Sequence, residues 1–72
     1  MGIFLFHVTV DDGGDQKTWE YGVNEVGAFE ARERMHQYLT GEGVTFSQIE
    51  ESPPRNVASL ANLGLGCVRL VT

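Results

Sequence analysis

Apolar side chains recur every three or four positions between residues 24 and 43, at Ala28, Ala31, Met35, Tyr38 and Leu39, while the flanking stretches alternate every second position. Three-and-four spacing gathers side chains on one face of a helix, and such a face needs a sheet to cover. Residues 3–10 (IFLFHVTV) are mostly β-branched and aromatic, and period two turns Phe4, Phe6, Val8 and Val10 to one side and Ile3, Leu5, His7 and Thr9 to the other. The first set reads as the core face of a central strand. The second is apolar only at its start, which predicts partial cover by another element or subunit. Residues 17–23 form the returning strand, with Trp19, Tyr21 and Val23 on the core side and Thr18, Glu20 and Gly22 on the other. Between the two strands lies DDGGDQ (residues 11–16), where adjacent glycines admit positive φ and the Asp side chains can bond nearby N–H groups.

The helix reads as starting at Asn24, a residue suited to capping, followed by Glu25 near the positive end of the helix dipole. Gly27 weakens the first turn by up to about 1 kcal/mol relative to Ala, and an i,i+4 pair of Glu30 with Arg34 returns only a few tenths. Packing must therefore supply most of the helix's stability, and Gly41 or Gly43 closes it. Residues 44–51 (VTFSQIEE) have strand composition with Val44 and Phe46 on one parity and Ile49 on the other, which predicts a bulge or an edge strand. Ser52, Pro53, Pro54 and Arg55 break that strand. Asn56 is placed to cap a short helix in which Val57, Leu60 and Ala61 share a face before Gly64, and residues 67–72 (CVRLVT) close the chain as a last strand. The order β-β-α-β-(short α)-β predicts one α+β domain over residues 1–72: a four-stranded antiparallel sheet with one long helix packed on a face.

Seventy-two residues bury only about 60% of the unfolded chain's surface, so the core is thin. A hydrophobic fraction of 42% with four Phe, two Tyr and one Trp is nonetheless enough to fold. The lone Cys67 excludes an internal disulfide and, with only two His, any Cys-rich zinc site. Oligomerisation is the remaining aid to a small core, and the back face of the first strand, Ile3 and Leu5, is where a homodimer would form. No run approaches a membrane span and the opening residues lack the basic region of a signal peptide, so the expected setting is the cytoplasm, without membrane contact.

Neither histidine has the company that nucleophilic catalysis requires. His7 sits in an apolar strand, His36 borders the apolar helix face, and Cys67 reads as a small buried hydrophobe, so no spacing assembles a nucleophile, base and orienting carboxylate. Gly41-Glu42-Gly43 and Leu63-Gly64-Leu65-Gly66 lack the following helix with Lys-Ser/Thr of a phosphate loop and read as turns. Asp11, Asp12 and Asp15 lack the twelve-residue pattern and distal Glu of a calcium loop. The chain is therefore expected to be no enzyme and to carry no metal or cofactor.

Ten acidic residues against five basic ones give a net charge of −5, which disfavours direct binding to nucleic acid. Glu30, Glu33 and Gln37 project from the helix face opposite Ala28, Met35 and Leu39, and Asp11, Asp12 and Asp15 form a second acidic patch, with Glu50 and Glu51 a third. Such surfaces are either ordinary solvated faces or docking sites for a positively charged partner, whose binding would weaken with salt. Phe29 falls off the helix's apolar stripe and is the candidate anchor, whereas Trp19 and Tyr21 read as core.

In size, acidity and strand-strand-helix-strand order around FHVTV, WEYGV and EARERMHQYL, the chain resembles the small acidic inhibitors of phages and mobile elements, anti-CRISPR proteins among them. The resemblance implies a protein that binds a host nucleic-acid-handling complex and blocks its nucleic-acid path or effector recruitment without chemistry of its own. Acidic side chains would then occupy Lys/Arg sites that otherwise hold phosphate. The expected partner is thus a larger protein or complex with a basic surface, with Glu30, Glu33 and Gln37 as first contacts and Asp11, Asp12 and Asp15 as second. The alternative is a small structural module acting as a homodimer.

Overall fold

A computed structural model describes residues 2–72. Its elements are β1 (Gly2–Asp12), β2 (Asp15–Glu25), α1 (Ala28–Gly41), β3 (Phe46–Ser52), a 3₁₀ turn at Ala58–Leu60 and β4 (Val68–Leu70). The four strands form one antiparallel sheet in the order β3-β1-β2-β4. The expected α+β architecture is present, and the expected short second helix is a single 3₁₀ turn.

The β1–β2 hairpin is the spine of the sheet. Its strands run eleven residues each and pair from Gly2↔Glu25 to Asp12↔Asp15. The loop is only Gly13 and Gly14, with φ of 63° and 95°, the left-handed conformations that a two-residue hairpin turn of this twist demands. β3 lies at the edge beside β1, and its register slips between Thr9 and Val10, which face Gln48 and Phe46 respectively. That slip is the bulge expected from the misphased Val44, Phe46 and Ile49.

On the front face, Phe6, Val8, Val10, Tyr21 and Val23 pack beneath Ala31, Met35 and Leu39 of α1, with Ile49 from β3. Tyr21 meets Tyr38 edge to face at 5.8 Å between ring centroids. Burial raises the Tyr21 phenol above its ordinary range, with the neighbouring Tyr38 and Glu42 adding to the effect. The helix ends in a Schellman motif: Val44 N–H donates to Leu39 O, Gly43 N–H to Thr40 O, and Gly43 takes φ of 71°.

Three boundaries differ from the sequence expectation. Asn24 does not cap α1; it ends inside β2, and the N-cap is Gly27, in extended conformation with no side-chain bond. Asn24 instead ties β2 to the chain's last turn, its Nδ2 donating to Leu63 O at 2.7 Å and its backbone O accepting from Gly66 N–H. Ala28 is exposed rather than part of the buried stripe, since the helix begins only there. Cys67 is exposed and precedes β4 rather than lying buried within it.

The back face of the sheet is covered by the chain itself around Leu5 and Gly22, while Ile3, His7 and Thr18 of the same face stay exposed. Leu60 and Leu63 close over Leu5, which is 1% exposed, with Val57 and Val71 at the margin. A dimer through Leu5 is therefore not available to the folded chain; only Ile3 of that expected pair reaches solvent. Gly22 admits this cover because a Cβ there would stand 2.3 Å from Leu60 Cδ1. Beside the apolar cluster, buried Glu20 receives two N–H donors from Arg55, and His7 Nε2 lies 3.4 Å from its carboxylate. The paired Arg55 holds the Glu20 carboxyl below its ordinary range, against the opposing effect of burial.

Candidate interaction surface

The outward side of α1 gathers all three of the first set of expected contacts. Glu30, Glu33 and Gln37 line one shallow cleft of about 250 Å³ together with Glu25, Phe29 and Arg34. This follows from helical geometry: when Ala31, Met35 and Leu39 point into the sheet, positions 29, 30, 33 and 37 must point away from it. Phe29 is 72% exposed, the most exposed large apolar side chain among the described residues, and Val26 three positions earlier is also exposed.

The electrostatics of the cleft differ from the expected Glu30–Arg34 pair. Arg34 turns instead to buried Glu25, Nε to Oε2 at 3.2 Å, and donates from Nη1 to Gln37 Oε1 at 3.4 Å. Glu30 leans back over the helix start, where a Cβ at Gly27 would meet its Oε1 at 2.7 Å. That placement sets a carboxylate against the positive end of the helix dipole, the role foreseen for Glu25. Among the described residues neither Glu30 nor Glu33 has a cationic partner, so the cleft offers two free carboxylates beside an exposed phenyl ring. Gln37 is already engaged by Arg34.

The second set, Asp11, Asp12 and Asp15, sits at the far end of the hairpin. All three are exposed, Asp12 stands 3.4 Å from Lys17 Nζ, and Asp11 N–H donates to Thr45 O. Asp11 and Asp12 line a separate cleft with Trp19 and residues 43–45, which shares no residue with the helix cleft. The helix face and the hairpin end are thus separate acidic surfaces, as expected, and Glu50 and Glu51 are exposed on edge strand β3. Trp19, expected in the core, is 37% exposed because α1 stops before it covers that end of the sheet.

The residues weighed for catalysis are dispersed. His36 packs edge to face on Phe46 at 5.5 Å beside edge strand β3, Cys67 lies in the loop entering the opposite edge strand β4, and His7 is on the back face. Among the described residues no three His, Cys, Asp or Glu side chains are grouped to hold a metal ion. Among the described residues no helix is long and apolar enough to cross a membrane.

The Glu20–Arg55–His7 cluster and the Glu25–Arg34 pair escape any reading of spacing. Glu20 and Arg55 are 35 positions apart in sequence, and only the return of the coil over the back face joins them. A weak signal existed in Glu20 itself, an acidic residue flanked by Trp19 and Tyr21 in an otherwise core-forming strand. No protein-family model, curated protein or solved structure matches the chain.

Proposed function

We propose that the protein is a non-enzymatic interaction module, an inhibitor of the anti-CRISPR kind, that docks the outward face of α1 on a basic, nucleic-acid-handling surface of a larger complex in the cytoplasm of a host cell. The single observation that carries this reading is Phe29, 72% exposed and set beside the carboxylates of Glu30 and Glu33, which have no cationic partner among the described residues. A ring mostly left in water adds little to the fold, whereas at an interface aromatic side chains dominate the binding energy. The flanking carboxylates suit lysine and arginine side chains and would hasten encounter with a positive surface. They also oppose direct association with a polyanion, consistent with the net charge of −5.

The test is capture from host lysate by the tagged chain, with mass-spectrometric identification, beside the Glu30→Lys/Glu33→Lys variant. A nucleic-acid-handling complex retained by the native chain, released by added salt and lost in the variant supports the reading. Equal capture by both folded proteins rejects the helix face as the contact surface.

A further inference from the structure

We propose that the cleft at the hairpin end of the sheet is a second docking point that takes an arginine side chain from a basic segment of a protein partner, stacked on Trp19. The cleft, about 290 Å³, is lined by Val10, Asp11, Asp12, Trp19 and the turn 43–45, and no residue of α1 contributes to it. It is a stretch of sheet face that the helix leaves without cover. Trp19 is the chain's only tryptophan and presents part of its indole there.

Three observations give this opening its charge. Asp11 and Asp12 stand at its rim. The helix ends beside it with no basic residue in its last turn and with Glu42 as C-cap, so the negative end of the helix dipole is uncompensated. Lys17, opposite Val10 in the hairpin, pairs with Asp12 at 3.4 Å, with both side chains more than half exposed, a contact that water and salt leave weak. An indole face beside carboxylates favours a cation, and a planar guanidinium gains more than an ammonium because it can stack on the ring while donating to the carboxylates. The apolar floor of Val10 and Val44 suits the methylene stem of the same side chain.

The inference rests on the proposed docking function for its biological use, but the site can be tested without the partner. An acetylated, amidated hexa-arginine peptide is titrated into isotopically labelled protein, and the single indole N–H and the amides of residues 43–45 are followed by NMR. Saturable shifts at those signals are expected. They should weaken about fivefold in Asp11→Asn/Asp12→Asn, in keeping with exposed ion pairs, and about two- to fivefold for the amides in Trp19→Leu. They should strengthen about twofold in Lys17→Gln, which frees Asp12, and persist in Glu30→Lys/Glu33→Lys. Because these positions are exposed, amide spectra that otherwise overlay report that each variant is folded. Absence of saturable shifts, equal binding of hexalysine, or a response that follows Glu30 and Glu33 instead of Asp11 and Asp12 overturns the proposal. The last result would leave the helix face standing as a docking surface, whereas loss of lysate capture with these shifts intact would leave the cleft standing without it.

Discussion

The two faces of the sheet are covered by different means. The front carries regular structure on regular structure: a fourteen-residue helix lays Ala31, Met35 and Leu39 over alternate residues of β1 and β2. The back is closed by coil and one 3₁₀ turn, held by a three-leucine cluster and by the buried Glu20 carboxylate with its Arg55 and His7 neighbours. Burial drives the front, and there the helix need only be amphipathic. On the back, apolar area is small and an irregular segment must be fixed in one position, so directional contacts share the task. The proposed docking surface sits on the outer side of the front cover, above the larger of the two apolar clusters.

Cutting into the front core should have the largest effect. Phe6→Ala removes a fully buried ring from beneath α1, at a cost of about 3–5 kcal/mol, comparable to the whole stability of roughly 4–11 kcal/mol for a chain of this length. Chemical denaturation is expected to show stability reduced by that amount, the largest loss of any single change named here, with the unfolding midpoint moved to correspondingly lower denaturant. Gly22→Val attacks the back instead, forcing a branched side chain into the space of Leu60, and should cost about 1–3 kcal/mol. Limited proteolysis should then cut first within residues 53–66 while α1 stays protected.

Acid should reach the back before the front. The folded chain holds the Glu20 carboxyl below its ordinary value of 4.5, chiefly through Arg55. The pair's contribution is therefore complete above about pH 4.5 and disappears as pH falls through the lower, folded-state value. Denaturation midpoints measured from pH 6 to 3 should decline in the native chain, with that part of the decline absent in Glu20→Gln. The smallest change in stability belongs to Phe29→Ala: an exposed side chain on a helix, expected to shift stability by no more than about 0.5 kcal/mol while weakening partner binding about tenfold or more.

This contrast also explains how much could be read in advance. The front face was legible because period two and period 3.6 are imposed by burial, so Phe6, Val8, Tyr21, Met35 and Leu39 declared both their elements and their direction. The bulge in β3 was legible from the same rule when broken. The helix start was not: Asn24 has a good capping side chain, but β2 gains more by continuing to pair with β1 and by binding residues 63–67, so tertiary hydrogen bonds outweigh the local preference. The back cover was only half legible: the spacing of Val57, Leu60 and Ala61 marked a short apolar face, and Val57 and Leu60 do pack on the sheet, but neither that spacing nor Leu5 gave a sign whether this segment or a second chain would cover the strand. Of the site, Glu30, Glu33 and Phe29 followed from helical phase alone. The half-exposed Trp19 did not, since it depends on where α1 stops relative to the sheet.

The most direct measurement is amide hydrogen exchange on the chain alone and bound to the complex captured from lysate. Added protection is expected in residues 28–37 and at the hairpin end around residues 11–19, with exchange of the coil at residues 53–66 unchanged. Protection confined to residues 53–66, with α1 exchanging as in the free protein, would contradict docking through α1.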